Sequence, residues 1–237
     1  MARLAAGGIA LACVAATAAL VLASLQPVAA VEVIGARHVT RAAAIERSGL
    51  IGVPIFHASA AAARVALLGS AAVRDARVEL ALPASARLTL TEREAAARWV
   101  VGATEWFVDT DGVLFPSADP TAAPALRVTD LRVPARAAGD RLDAGLVGSA
   151  LRLAKIAPGE LRSDATALAV RIEAGPNGLV LASGAGWEIR FGAPDGLDAK
   201  LDAAKAVLRE SAGRRLEYVD VRTVPATPAV VFPSPSR

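Results

Sequence analysis

The sequence contains one cysteine, one tyrosine and two histidines. A single cysteine cannot form a disulfide within the chain, so its folded domains must be held together by packed cores. The histidines, His38 and His57, are isolated and have no partners at metal-ligand spacing. The sequence also has no Gly-x-Ser-x-Gly nucleophile motif and no phosphate-binding loop. These absences argue against an enzyme, and no catalytic residue, metal site or cofactor is predicted.

Charge is balanced and evenly spread. The chain has 26 basic and 23 acidic residues, for a net charge of +3, and no basic block. Nucleic-acid binding proteins concentrate their positive charge on one face or segment. We therefore predict no nucleic-acid partner and no small-molecule substrate.

A long uncharged stretch dominates the start of the sequence. No Asp, Glu, Lys, Arg or His occurs from Leu4 to Val31, and roughly 20 apolar residues suffice to cross a bilayer. We predict a transmembrane helix over residues 4–26, with residues 1–3 in the cytoplasm because Arg3 is the only preceding charged side chain. The alternative is a signal peptide cleaved after Val28-Ala29-Ala30. The stretch is longer than the ~7–15-residue apolar core of such a signal, which favours an uncleaved anchor in the cell (inner) membrane.

The segment over residues 31–93 has the pattern β-α-α-β-β. A β-branched run opens it, and two short helices follow, capped by Thr40 and Ser59. The apolar stripe expected on the second helix consists of Ala61, Val65 and Leu68. Alternating apolar residues then predict two strands joined by a turn at Pro83.

The segment over residues 94–231 predicts a mixed or antiparallel β domain with covering helices, so the fold class is α+β. Hairpins are expected at the Asp-Gly pair of residues 107–115 and around Pro176-Asn177-Gly178. Helices are predicted over residues 143–156 and 195–211, the second with Leu197, Leu201, Ala204 and Leu208 on its buried face. Residues 232–237 are expected to be a disordered tail.

Two short motifs admit a functional interpretation. Asp109-Thr110-Asp111-Gly112 could begin a calcium loop or supply paired carboxylates, but the later calcium ligands are missing and a tight turn is favoured. Gly184-Ala185-Gly186 could belong to a dinucleotide motif, but no helix follows it and a turn is again favoured.

Ordered motifs give the chain a family resemblance. The first exterior segment resembles a POTRA domain of the kind found in the FtsQ/DivIB family of bacterial cell-division proteins. The matching pieces, in order, are Val33-x-Gly35, the loop Gly52–Phe56, Val73-x-x-Ala76-x-Val78, Leu82-Pro83 and Thr91-Glu92-Arg93. The later segment is similar to the family at Val108-Asp109-x-Asp111-Gly112-x-x-Phe115 and at Tyr218-Val219-Asp220-Val221-Arg222.

The resemblance implies an extracytoplasmic scaffold of the divisome that makes no bond itself. It would bind small bitopic division proteins of the FtsB/DivIC and FtsL type at the septum, and so help control septal peptidoglycan synthesis. By the same resemblance the late strands receive partner segments by strand addition, in which backbone hydrogen bonds supply affinity. The expected partner-binding residues are Tyr218, Val219, Asp220, Val221, Arg222, Ala229, Val230 and Val231.

The sequence departs from the family pattern in two places. The expected cytoplasmic part is only residues 1–3, shorter than in many relatives. Pro225 and Pro228 interrupt the last hairpin, and proline cannot donate to a strand ladder. The alternative functions are a POTRA-bearing chaperone in export or outer-membrane assembly, and an exported enzyme or ligand-binding protein with a cleaved signal.

Overall fold

The computed structural model describes residues 13–15, 17–19, 26–223 and 229–232. The chain divides into two compact units, Met1–Arg93 and Glu94–Arg237. Most of the predicted membrane span over residues 4–26 lies outside the described residues, which include only 13–15, 17–19 and 26 of it. Within the described ranges, no helix combines the length and apolar character needed to cross a bilayer.

The first unit is a three-stranded sheet with two helices. Its described elements in chain order are β1 (Ala30–Ile34), α1 (Arg41–Ser48), α2 (Ala60–Leu68), β2 (Val73–Ala81) and β3 (Ser85–Glu92). The spatial order of the strands is β1-β3-β2. β1 runs parallel to β3, and β2 runs antiparallel to it.

Local chemistry sets both helix starts, as the sequence predicted. The hydroxyl of Thr40 accepts a hydrogen bond from the N–H of Ala43 at 3.1 Å, and Ser59 does the same for Ala62 at 3.1 Å.

The predicted stripe on α2 is wrong. The helix buries Ala63 and Leu67, whereas Val65 is 69% exposed. The segment Ala60–Leu68 is apolar all round apart from Arg64. Periodicity therefore does not single out one face, and contacts with β2 and α1 decide it.

The second unit is a nine-stranded mixed sheet with helices. The described strands are β4 (Ala97–Val101), β5 (Thr104–Val108), β6 (Leu114–Phe115), β7 (Arg127–Asp130), β8 (Leu168–Ile172), β9 (Leu179–Ser183), β10 (Glu188–Gly192), β11 (Tyr218–Asp220) and β12 (Ala229–Val231). The described helices are α3 (Ala144–Ala154), the single turn α4 (Pro158–Leu161) and α5 (Leu197–Glu210), with 3₁₀ turns at Pro120–Ala122 and Gly175–Asn177. The strand order is β12-β11-β10-β9-β8-β7-β4-β5-β6.

Both expected hairpins are confirmed. β5 and β6 pair antiparallel around the Asp-Gly turn, and β8, β9 and β10 form an antiparallel meander. Parallel pairings join β4 to β7, β7 to β8, and β10 to β11. The last of these requires a crossover connection, which α5 supplies.

One face of this sheet carries the core. α3 and α5 contribute buried residues to the same cluster as the sheet side chains Trp99, Val128 and Ile189. The predicted buried positions of α5, Leu197, Leu201, Ala204 and Leu208, all belong to this cluster. Polar side chains from β8, β10 and β11 collect on the opposite face of the sheet.

Candidate functional site

The two edge strands of the nine-stranded sheet differ in whether other backbone covers them. At the β6 end, the chain around residues 139–142 lies along the strand. The N–H of Leu114 donates to the carbonyl of Asp140 at 2.9 Å, and the N–H of Gly139 donates to Leu114 at 2.7 Å. Val113 forms an additional bridge with Arg141. This edge is therefore already occupied by the protein's own backbone.

At the other end, β12 pairs with β11 and is the last strand in the sheet order. Tyr218 lies opposite Val231, Val219 opposite Val230, and Asp220 opposite Ala229. The structure thus brings the two predicted binding segments together as neighbouring strands. No described strand covers the outer side of β12.

Backbone direction along β11 identifies the groups that face this open side. The carbonyl of Glu217 and the N–H of Val221 bond to β10, at 3.2 and 3.0 Å. Successive residues of a strand turn their backbone groups to opposite sides, so Tyr218 and Asp220 face β12. Their opposite residues on β12 face back toward β11. Val230, between them, therefore turns its N–H and C=O outward.

The predicted site residues divide between the two faces of the sheet. Val219 and Val221 are fully buried in the core cluster, so their side chains are not available to a partner. Tyr218, Asp220 and Arg222 are partly exposed. Val231, opposite Tyr218, is also partly exposed.

Arg222 and Asp220 form a tight ion pair. The Nε and Nη2 atoms of Arg222 lie 2.9 and 2.6 Å from the Asp220 oxygens. The hydrogen bonds from the Arg222 side chain hold the pKa of Asp220 below its ordinary value, with the Arg222 backbone N–H and the charge of Arg190 acting in the same direction. The same hydrogen bonds raise the pKa of Arg222. Both groups are therefore charged throughout the physiological range.

A chain of side-chain contacts, which we call the polar network, lies on the sheet face that carries Tyr218, Asp220 and Arg222. Arg190 stacks its guanidinium over the Tyr218 ring, with 3.8 Å from Cζ to the ring centroid. Glu188 accepts from Arg190 at 2.8 Å and from Arg171 at 2.6 Å. The Nη2 atom of Arg171 also donates to Glu173 at 3.2 Å.

The polar network reaches Arg222 through Asn177. Its Nδ2 atom donates to Glu173 at 3.0 Å, and its Oδ1 atom accepts from Nη1 of Arg222 at 3.3 Å. Val180 lies between Arg171 and Arg190 of the polar network in the strand register and is fully buried. Tyr218 and Arg222 are therefore held in fixed positions by side chains from β8, β10 and the 3₁₀ turn.

Sequence reasoning missed Arg171, Asn177, Glu188 and Arg190 as members of this site. In the sequence, Glu188 and Arg190 alternate with Trp187, Ile189 and Phe191, a pattern that indicates only the polar face of a strand. The parallel pairing of β10 with β11 places Glu188 opposite Tyr218 and Arg190 opposite Asp220. Because that pairing spans the whole of α5, no local signal could have revealed it.

The chain just beyond β12 is anchored as well. Phe232 packs against the core cluster, and the guanidinium of Arg214 lies over its ring, 3.5 Å from Cζ to the centroid. The N–H of Glu217 donates to the carbonyl of Val231 at 3.1 Å. The edge strand is thus fixed by ring stacking and hydrogen bonding. Pro225, Pro228 and residues 233–237 lie outside the described residues.

Comparison with known proteins gives concordant results. The family model described as "Cell division protein FtsQ/DivIB, C-terminal" matches residues 97–222, just over half of the 237 residues. "Cell division protein FtsQ" of Chloroflexus aurantiacus is 29% identical over 195 residues, which span 82% of this chain and 70% of that protein. The chain therefore belongs to the FtsQ/DivIB family of cell division proteins.

Proposed function

We propose that the protein is a membrane-anchored, extracytoplasmic scaffold of the divisome that binds partner strands at the outer side of β12. The observation that carries this proposal is the difference between the two ends of the nine-stranded sheet. The β6 edge is covered by the chain's own backbone, whereas no described strand covers β12. Unpaired edge strands invite aggregation, and proteins keep them open where a partner supplies the next strand.

The partners in this proposal are small bitopic division proteins of the FtsB/DivIC and FtsL type. An extended segment of such a protein would hydrogen-bond to the outward N–H and C=O of Val230. Its side chains would then lie beside Val231 and Tyr218 on the exposed face. Aromatic and arginine residues dominate binding energy at interfaces, and here Tyr218 and Arg222 are held in place before binding.

We also propose that the unit over residues 31–93 is a POTRA domain that assists recruitment to the septum. What supports this is the element order β-α-α-β-β together with two residues of the resemblance motif. Gly35 has φ +82°, and a Cβ there would collide with the carbonyl oxygen of Leu90. The Glu92 carboxylate accepts the N–H groups of Arg37, His38 and Val39 at 3.0, 2.5 and 2.9 Å.

The membrane anchor over residues 4–26 completes the proposal. The uncharged sequence from Leu4 to Val31 supports it. An anchor holds the β12 edge and its bitopic partners at one membrane surface, which raises their effective concentration. The proposed role is assembly and regulation of septal peptidoglycan synthesis, with the bond-forming steps carried out by other proteins.

A proline at residue 230 tests strand addition directly. Val230→Pro removes the outward N–H without removing a hydrogen bond between β12 and β11. Val230→Ile keeps that N–H and an apolar side chain, so it is the matched control. Pull-down of the FtsB/DivIC-type and FtsL-type proteins of the same organism should fall with the proline variant and persist with the isoleucine variant, while both keep the wild-type thermal melt.

The same two variants test the role in cells. In cells depleted of the native protein, we expect the Val230→Ile variant to support normal division and the Val230→Pro variant to leave filaments. Undiminished partner binding by a folded Val230→Pro protein would refute strand addition at β12. Depletion that impairs export and leaves septa normal would refute the division role.

A further inference from the structure

Two loops of the first unit are free of charged residues and expose apolar side chains. No Asp, Glu, Lys or Arg occurs from Leu50 to Ala63, nor from Leu80 to Ala86. Three large apolar residues project from these segments. They are Ile51 at 51% exposure, Phe56 at 54% and Leu82 at 61%. Single exposed apolar residues are common, but three in charge-free segments at one end of a unit require an explanation.

Both loops are hydrogen-bonded to the same short stretch of chain, residues 26–29. In the first loop, Ile55 donates to the carbonyl of Gln26 at 3.0 Å, and Gly52 donates to that of Val28 at 3.1 Å. In the second loop, the carbonyl of Ala84 accepts from Ala29 at 2.9 Å. The loops are therefore fixed around the point where the chain arrives from the apolar segment over residues 4–25. We call Ile51, Phe56 and Leu82 the rim.

The distances involved match the thickness of a lipid headgroup layer. The hydrogen bond between Ile55 and Gln26, plus one residue of backbone, places the Cα of Phe56 within about 8 Å of the Gln26 carbonyl. The polar layer on each side of a bilayer is about 5–8 Å thick, from the difference between its total and hydrocarbon thickness. A side chain this close to the end of the proposed span over residues 4–26 would reach that layer.

We propose that the rim inserts into the headgroup region of the membrane that carries the anchor. This inference rests on the proposed span over residues 4–26. Aromatic and aliphatic side chains carried by segments that contain no charged residue are the chemistry that binds at the boundary between headgroups and acyl chains. The contact would fix the orientation of the first unit relative to the membrane surface, which a single point of attachment could not do.

Site-specific fluorescence on the full-length chain tests this contact. In a Cys13→Ser background, Phe56→Cys and Val65→Cys each provide one attachment site for an environment-sensitive dye. Val65 is the matched control, because it is 69% exposed and lies on α2, outside the two loops that bond to residues 26–29. Both positions are more than half exposed, so both variants should fold, as circular dichroism would verify.

The probe is a vesicle of phosphatidylcholine and phosphatidylglycerol carrying a nitroxide near the headgroup end of the acyl chain. The dye at residue 56 should show a blue-shifted emission and be quenched by the nitroxide lipid, whereas the dye at residue 65 should show neither effect. Vesicle flotation reports separately on the anchor.

The remaining outcomes distinguish a failure of the rim contact from a failure of the anchor. A chain that floats with the vesicles but is unquenched at residue 56 retains its anchor and overturns the rim contact alone. Protection of residue 56 from aqueous iodide without lipid quenching would mean a protein contact in place of lipid, and also overturns it. A chain that fails to float contradicts both the anchor and the rim.

Discussion

At the residue scale, Asp130 is the most deeply buried charged residue described in the second unit. Its side chain is fully buried and accepts from Nε and Nη2 of Arg132 at 2.9 and 2.7 Å. The indole N–H of the buried Trp99 also donates to it, at 3.3 Å. Burial on its own would raise the pKa of Asp130, but the hydrogen bonds and charge of Arg132 outweigh burial and lower it.

This arrangement predicts a pH-dependent stability. Because the folded-state pKa of Asp130 lies below the ~3.9 of an unfolded chain, its contribution is fully present above about pH 4. The contribution is lost as the pH falls through the folded-state pKa. We expect Asp130→Asn to reduce the free energy of unfolding at pH 7 by about 1–3 kcal/mol. Urea unfolding at pH 7 and pH 3 measures the effect.

The control is the pH dependence of the variant itself. The difference in stability between the wild type and Asp130→Asn should shrink as the pH is lowered, because the wild-type carboxylate becomes protonated. A difference that stays constant from pH 7 to pH 3 would show that the charge on Asp130 does not stabilise the fold.

Tyr218 is the residue whose side chain best suits a binding anchor. Its ring is partly exposed and is held beneath the Arg190 guanidinium. If Tyr218 is an interface anchor, Tyr218→Ala should weaken binding of the FtsB/DivIC-type partner by about 2 kcal/mol, or roughly 30-fold. Tyr218→Phe keeps the ring and should retain most of the affinity. Biolayer interferometry with the immobilised partner measures both, and equal affinities for wild type and Tyr218→Ala would remove Tyr218 from the interface.

The structure also shows how Arg222 should be tested. A charge reversal there would set a carboxylate against Asp220 and could act by unfolding the edge. A neutral substitution such as Arg222→Gln avoids that repulsion. The sequence alone proposed Arg222 as a binding residue, but only its contacts reveal that the side chain is also structural.

At the element scale, the β5–β6 hairpin depends on a glycine for two separate reasons. Gly112 has φ +82°, and a Cβ there would lie 2.5 Å from the carbonyl oxygen of Leu142. Asp109, which precedes it, is buried and accepts from the N–H of Val113 at 2.8 Å. The Asp-Gly motif is therefore a structural turn fitted against the chain around residue 142.

A pair of glycine variants separates the two effects. Gly186 has nearly the same φ, +87°, but nothing lies within 4 Å of its added Cβ. Gly186→Ala should therefore cost only the left-handed backbone strain, about 1–2 kcal/mol. Gly112→Ala should cost an additional ~1–3 kcal/mol for the backbone collision. Denaturant unfolding midpoints compare the two variants. Equal losses of stability would mean that the hairpin shifts away from Leu142 at no cost.

Elements differed in how well the sequence predicted them. The starts of α1, α2 and α3 follow from single capping side chains, and Asp143 accepts from the N–H of Leu146 at 2.7 Å as expected. Such signals depend on a few neighbouring residues, so they can be recognised in the sequence. The buried face of α2 and the parallel partner of β10 depend on distant segments; the first was predicted wrongly, and the second was not predicted.

At the scale of the whole molecule, each unit has its own hydrophobic core. One described cluster draws on residues from Val28 to Leu90, and the other on residues from Ala97 to Val221. The three tryptophans, Trp99, Trp106 and Trp187, all belong to the second unit. Tryptophan fluorescence therefore reports on the second unit alone, whereas far-ultraviolet circular dichroism reports on both.

Because of this division, the stability of each core can be measured separately. Leu88 and Leu181 are both fully buried, one in each cluster. Each change to alanine should cost its own unit about 2–5 kcal/mol. Leu181→Ala should lower the unfolding midpoint seen by fluorescence, and Leu88→Ala should shift only the transition seen by circular dichroism. A fluorescence midpoint lowered equally by Leu88→Ala would show that the units unfold as one.

The sequence by itself determined what depends on local patterning: the α+β class, the helix caps, the hairpin turns and the two segments that became β11 and β12. Its ordered motifs also identified the family. Only the tertiary structure decided that β10 and β11 are parallel neighbours, that the chain around residue 140 covers the β6 edge, and that Arg171, Asn177 and Arg190 support Tyr218 and Arg222. The physical reason is that propensity, capping and turn chemistry act over a few residues, whereas the choice of neighbouring strand is settled by burial across the whole sheet.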